Sequence, residues 1–308
     1  MNRFAVTYSA RESGVSNLSE GEVLSRYRSV YGLGDEIGLD HVRRHIDLEG
    51  ALTKELLASN PETRWVTFAS AYSRLYQELP WLATTGAGGS KADLWRQLLK
   101  QKSRILEIGS GAGVLISELA GHGYDCVATD ISKGRGAALA GGSKVEWCVS
   151  DGINLHNFHP PGTFDYVISD QVVEHLHPDD ILAHCRAAYE VLRPGGSYFI
   201  RTPHRSIGPS DLSKVIGLDT AVFMHLHEFT YAEFAQVSKR SGFSSLRAVF
   251  YAPLLRFVYS SRFFYQYMCA VDWIENEFLG LKGVARGRYR SVARFALVSP
   301  TVWVQLVK

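Results

Sequence analysis

The sequence predicts an α/β chain: a seven-stranded, mostly parallel sheet with helices on both faces, a helical section before it and a helical insert before the last strand. Three observations carry this. Short apolar runs alternate with helical patterns from about residue 104 to 250, the signature of βαβ units. The run Arg-Ile-Leu-Glu-Ile-Gly-Ser-Gly-Ala-Gly at 104–113 leads into VLISELAGHG, which reads as strand, tight glycine turn and helix. Ahead of it, from Glu20 to Leu79, apolar residues recur at spacings of three and four.

Residues 1–20 are polar and Ser-rich and are expected to be poorly ordered. Val23, Leu24, Tyr27, Val30 and Tyr31, then Leu48, Leu52, Leu56 and Leu57, then Val66 to Tyr76, predict two to four helices. Pro80-Trp81 and the small residues from Thr84 to Ser90 break this section, and Lys91 to Lys100 predicts the helix that enters the core. Strands are predicted at 105–108, 126–129, 145–149, 166–169 and 197–201, with helices at 114–121, 179–192 and 231–241. Pro194-Gly195-Gly196 is a turn into the fifth strand. Residues 245–250 and 302–307 supply the last two strands. Between them, residues 253–298 are rich in aromatics (Phe257, Tyr259, Phe263, Phe264, Tyr265, Tyr267, Trp273, Phe278) and end in a basic run from Lys282 to Arg294. They predict a pair of helices on the core; a lid for an apolar substrate, or a surface resting on a membrane, is the alternative.

Composition removes several function classes. The chain has 308 residues, 46% hydrophobic and 21% charged, with 33 Lys plus Arg against 31 Asp plus Glu. A net charge of +2 gives no electrostatic case for nucleic acid. Cys126, Cys148, Cys185 and Cys269 form no C-x-x-C, so neither a disulfide framework nor a zinc knuckle is expected, and reduced thiols fit a cytoplasmic protein. No signal peptide and no spanning helix are expected. Peripheral membrane contact is left to the aromatic stretch.

The glycine spacing separates two kinds of nucleotide pocket. A dinucleotide turn is G-x-G-x-x-G. Here the pattern is E-x-G-x-G-x-G, on Glu107, Gly109, Gly111 and Gly113, with Val114 where the third glycine of the dinucleotide turn would fall. A carboxylate at Glu107 would repel a pyrophosphate and suits a ligand with a cationic amino group. This disfavours a nicotinamide oxidoreductase. The run resembles the first motif of the class I S-adenosylmethionine (SAM) methyltransferases, and further motifs follow in order over residues 104–250. Asp130 ends the second strand in CVATDIS, where a carboxylate can accept both ribose hydroxyls. Ile131 is placed to pack on adenine. Asp151-Gly152 follows the third strand, where the family has an acidic residue near the adenine amine, and Gln171 lies at the mouth of the fourth. The resemblance implies a Rossmann-like fold with SAM bound by these residues. The chain then divides into an N-terminal helical cap (1–90), a SAM-binding core (91–252), an aromatic-rich insert (253–300) and a final core strand (301–308).

The reacting site is expected in Asp170-Gln171-Val-Val-Glu174-His175-Leu. A helix beginning here would put Gln171, Glu174 and His175 on one face. His175 is suited to take the proton of an acceptor hydroxyl. The block resembles E-V-x-E-H-L of the ubiquinone-type O-methyltransferases. It also resembles the metal-dependent ribose O-methyltransferases of small RNAs, which add a distal His. In His225-Leu-His227-Glu-Phe-Thr-Tyr that residue is matched to His227, so Glu174, His175 and His227 become candidate ligands of a divalent metal. Gln171 stands where those families have Glu, and an amide brings no charge to a cation. The alternatives are a metal-free His175 base, or Glu174 and His175 as residues that only brace the loop. His204, Arg205 and Asp211 follow the fifth strand and are candidates to line the acceptor pocket. The function expected is O-methylation of a hydroxyl on a sugar, glycolipid or secondary metabolite. A quinone-like phenol is the alternative acceptor, and a non-catalytic SAM-fold subunit the alternative class. The partner is a small-molecule or glycan-type acceptor.

Overall fold

The computed structural model describes residues 18–82, 91–132, 144–274 and 301–308. The expectations for residues 1–17, for the break at 84–90, and for Phe278 and the basic run from Lys282 to Arg294 lie outside the described residues.

Three helices open the described chain. Helix α1 (Glu20–Tyr31) begins at Ser19, whose hydroxyl accepts the Glu22 amide while the Glu22 carboxylate accepts the Ser19 amide. Two orphan donors are thus satisfied reciprocally. Helix α2 (Leu39–Leu57) buries Val42, Ile46, Leu52 and Leu56 on one stripe. The same buried side carries two polar residues one turn apart, His45 and Glu49. Helix α3 (Arg64–Glu78) packs against α2 through Phe68, Ala71 and Leu75.

After a short helix α4 (Ala92–Arg96) the alternation begins. It runs β1 (Arg104–Ile108), α5 (Val114–Gly121), β2 (Asp125–Asp130), β3 (Val145–Val149), β4 (Phe164–Asp170), α6 (Ile181–Val191), β5 (Leu192–Pro203), α7 (Leu212–Val215), α8 (Tyr231–Arg240) and β6 (Ser245–Ala252). The chain continues through β7 (Phe257–Ser261) and α9 (Arg262–Trp273), and closes on β8 (Thr301–Val307). The sheet order is β3-β2-β1-β4-β5-β8-β6-β7. Strands β3 to β5 pair in parallel, and β8 is antiparallel to both β5 and β6. Alternate side chains feed two cores. Leu106 and Ile108 face α6 and α8, whereas Ile105 faces Trp95, Ile116 and Leu119 of α4 and α5.

The sheet therefore has eight strands, one more than the seven expected. The extra strand comes from the stretch read as helical. Phe257-Val-Tyr-Ser-Ser pairs antiparallel with β6, with Val258 buried between exposed Phe257 and Tyr259. That is a period of two, hidden in the sequence because the exposed face carries aromatics. Helix α9 follows it, anchored by a buried pair in which His204 Nε2 and Asp272 Oδ1 lie 2.6 Å apart. No helix of the described residues is long and apolar enough to cross a membrane.

Two features place a site. Successive strands run outward from β1 in one direction and from β4 in the other, so the order reverses between β1 and β4. A crevice opens at the carboxyl ends of strands at such a point. The helical cap closes over it. Tyr27, Val42 and Ile46 pack on Leu212, Val215 and Phe223, and Leu48, Leu52 and Phe68 pack with Met224 and Ile131. A part-buried ion pair, Arg64 to Asp180 at 2.6 Å, ties α3 to the turn before α6.

Candidate functional site

One cavity of about 380 Å³ fills this crevice. On the strand side it is bordered by Gly109, Gly111, Asp130, Ile131, Asp151, Gly152 and Gln171. Seven of the residues singled out from the sequence thus meet around one space. Glu107 and Gly113 are not on its wall.

The local geometry explains the glycine loop. Gly109, Gly111 and Gly113 all have positive φ. A Cβ on Gly109 would lie 2.6 Å from Cγ2 of Val172, so the turn after β1 can pass the turn after β4 only as glycine. Asp130 braces the loop: its carboxylate accepts the amides of Gly111 and Ser132, each at 2.8 Å. Asp151 accepts the amides of Ile153 and Asn154 and the Asn154 side-chain amide, which folds its own turn. Gly152 is held through its carbonyl by Nδ1 of the buried His184 at 2.7 Å.

Glu107 lies behind the loop, buried, with Oε2 unpaired among the described residues. Burial first, then the Asp170 carboxylate, pushes its pKa from 4.5 up to about 8, against the Ile116 amide and Lys91. Between these values the unfolded chain has released the proton and the folded chain still holds it. Stability of the ligand-free protein therefore falls as pH rises through that window. Glu107→Gln removes the effect, so melting temperature should drop less between pH 6 and pH 9 than in the parent, by roughly 3–8 °C. Parallel melts of the two proteins across that range test this; equal pH slopes would remove Glu107 as the source.

Two sequence expectations fail in the block after β4. Gln171, Glu174 and His175 do not share a helix face. Gln171 sits alone in the left-handed region with φ 63°, its amide bonded to the Arg201 carbonyl, and only Val173–His175 form a single 3-10 turn. A non-glycine residue there costs about 1–3 kcal/mol and is retained where surrounding structure fixes it. The distal histidine is also His225, not His227. Ligand-capable atoms of Glu174, His175 and His225 lie within 4.8 Å of one another. His227 instead turns Nε2–H to Glu233 at 2.9 Å, although its backbone amide still bonds the Glu174 carbonyl.

The three clustered residues are held by their far atoms. His175 donates Nδ1–H to the Met224 carbonyl at 2.8 Å, and His225 donates Nδ1–H to Glu228 at 2.9 Å. Both Nε2 atoms are left for a ligand. Glu174 accepts the Thr202 hydroxyl on Oε2 at 2.9 Å, while Oε1 is buried without a partner among the described residues. Burial, then the His225 charge, takes the pKa of His175 down to about 3 against the Met224 carbonyl. Burial takes Glu174 up to about 7, opposed by His225 and Thr202. Burial would lower His225, but the Glu228 hydrogen bond and the charges of Glu174, Asp211 and Glu228 hold it up at about 9. His175 and His225 border the cavity; Glu174 stands behind them.

The loop after β5 is divided. Asp211 borders the cavity, its oxygens committed to the amides of Ser213 and Phe223. His204 does not, because it is buried against Asp272. Arg205 turns to Glu233 and lines a smaller pocket. The cap supplies wall residues that motif reading passed over, Glu49, Phe68, Tyr72 and Leu75. Their signal was the polar pair His45 and Glu49, spaced i, i+4, on the apolar face of α2.

A family profile described as a methyltransferase domain matches residues 87–248, more than half of the chain. The chain belongs to the methyltransferase domain family. Curated relatives agree. The ubiquinone biosynthesis O-methyltransferase of Aliivibrio fischeri strain MJ11 is 31% identical over 121 residues, covering 38% of this chain and 50% of the relative. That of Burkholderia cenocepacia is 32% identical over 149 residues, covering 46% and 61%. That of Aeromonas salmonicida is 28% identical over 232 residues, covering 68% and 88%. The chain thus spans about half the length of the first of these relatives. The methyltransferase match takes in the strand side of the cavity and His175 and His225; helices α1 to α3 lie ahead of it.

Proposed function

We propose that this methyltransferase transfers the methyl group of SAM to a hydroxyl of a ring acceptor, a phenol or catechol of the kind that precedes quinones. The observation that carries the reading is one cavity bordered at once by the glycine loop with Asp130 and by His175 and His225 beneath the cap. Asp130 keeps lone pairs for the ribose hydroxyls beyond its two backbone bonds. Glu107, buried with an unpaired oxygen near the loop, fits the ammonium end of SAM. The relatives named above are quinone-pathway O-methyltransferases. The cap wall of Phe68, Tyr72, Leu75 and Leu82 suits a flat ring better than the sugar or glycolipid expected first.

The chemistry is a displacement in which the acceptor oxygen forms the O–CH3 bond as the S–CH3 bond breaks. S-adenosylhomocysteine (SAH) leaves, and the hydroxyl proton must be removed. Two arrangements of this chain's residues serve that last need. In the first, Glu174 Oε1 and the Nε2 atoms of His175 and His225 hold a divalent cation. The donor set fits: one carboxylate and two imidazoles, each imidazole oriented by a hydrogen bond at its other nitrogen. Such a cation would lower the pKa of an acceptor hydroxyl. In the second, His175 Nε2 takes the proton itself, with Nδ1–H fixed on Met224.

The reading is tested with methyl-labelled SAM and catechol-type, sugar and glycolipid acceptors offered in parallel. Label should appear on a ring hydroxyl, at a rate at least about 10-fold above the sugar acceptors. Labelling of the sugars alone would return the reading to the class expected from the sequence.

A further inference from the structure

The cap half of the cavity contains a polar device that methyl transfer at the His175 end does not use. Glu49 borders the cavity and is more than nine-tenths buried. Its Oε1 accepts Nε2–H of His45 at 2.7 Å. His45 Nδ1 accepts the Tyr27 hydroxyl at 2.8 Å, and the Tyr27 oxygen accepts Nε1–H of Trp81 at 2.9 Å. Each donor points along the chain toward Glu49. Tyr27 and His45 are fully buried, so the chain fixes the carboxylate's orientation. The hydrogen bond to His45 uses Oε1 and leaves Oε2 outside it. The Tyr72 hydroxyl, on the same cavity wall, is buried without a hydrogen-bond partner among the described residues, and its ring lies edge-on to His175 with centroids 6.1 Å apart.

Carboxylates dominate the wall, with His225 as the cationic side chain at its far end. Glu49, Asp130, Asp151 and Asp211 all border the cavity, and no Lys or Arg does so among the described residues. A buried carboxylate on a cavity wall favours a hydrogen-bond donor or a cation against it and disfavours a second anion. Within the ring-hydroxyl reading on which this step rests, we propose that Glu49 is a specificity determinant. It takes a hydroxyl or ammonium group at the far end of the acceptor, so that the cavity accepts neutral or cationic ring compounds and rejects anionic ones. Tyr72, on the same wall and edge-on to His175, hydrogen-bonds the same acceptor.

Three catechols of matched shape test this: dopamine, ethylcatechol and dihydrocaffeate, which carry an ammonium, no charge and a carboxylate. Their binding to the SAH complex is measured by calorimetry, and their methylation with labelled SAM. Dopamine should exceed dihydrocaffeate by about 100-fold or more in affinity and in kcat/KM, with ethylcatechol between them. Glu49→Gln should reduce that ratio to below about 10-fold. SAH affinity of the variant reports whether the pocket is intact, and the parent ordering decides the matter even if the variant does not fold. Equal binding of dopamine and dihydrocaffeate overturns the proposal, as does a ratio unchanged in Glu49→Gln or no binding of dopamine at all. If dopamine binds selectively but none of the three gains label, the O-methylation reading fails and the role of Glu49 stands.

Discussion

Asp130→Ala should lower the affinity for SAH by about 100-fold or more, with only a modest loss of stability. The side chain does two things. It holds the amides of Gly111 and Ser132 at 2.8 Å, and in the proposed complex it takes the ribose hydroxyls. Alanine removes a charged acceptor from both. Hydrogen bonds to charged groups contribute about 1.5–3 kcal/mol each, so losing the ribose bonds alone accounts for roughly the stated factor. The loop bonds add to it, since an unbraced glycine loop must be ordered again by the ligand. A melting experiment shows both parts. At SAH about 100-fold above its dissociation constant the parent should be stabilised by about 2.7 kcal/mol, and the variant hardly at all at the same concentration. Without ligand the variant should melt a few degrees lower. A fall in affinity of less than about tenfold would reduce Asp130 to a loop brace.

The contrast between Asp130 and its neighbours shows what could be read in advance. Strand ends were legible because a five-residue apolar run followed by glycine or aspartate has few other readings. Gly109, Gly111, Asp130, Asp151 and Gln171 consequently all border the cavity. Strand β7 was not legible, because Phe257 and Tyr259 are as apolar as the buried Val258. The helix expected across Gln171 failed at a single backbone torsion, which sequence periodicity does not encode. His225 and His227 are separated by one residue and chemically equivalent in sequence. Glu228 and Glu233, which draw them to different partners, decide between them only in three dimensions. The acceptor wall was hardest, since it arises from long-range packing of α2 and α3 on the segment around Leu212 to Met224.

That segment brings His225 to Glu174 and His175, and it gives the second large effect. His225→Ala should reduce methyl transfer about 1,000-fold or more while SAH affinity stays within about threefold. The residue is chosen because it separates the two ways of removing the proton. His175 belongs to both, whereas His225 is essential only if a divalent cation is held with Glu174. Its side chain bonds Glu228 and meets the His175 ring edge-on, and it makes no hydrogen bond to Asp130 or the glycine loop among the described residues, so donor binding should persist. Glu174→Gln is the companion: the amide can still accept the Thr202 hydroxyl but brings no charge to a cation. Exhaustive chelation of the parent should match His225→Ala in rate, and added manganese or magnesium should restore the parent but not the variant. Full turnover after chelation would remove the cation and leave His175 Nε2 as the base. The unpaired Oε1 of Glu174 argues for the first outcome, because a buried carboxylate oxygen without a donor costs about 1–3 kcal/mol or more. Thr202 already satisfies the other oxygen, and a bound cation would offset that cost directly.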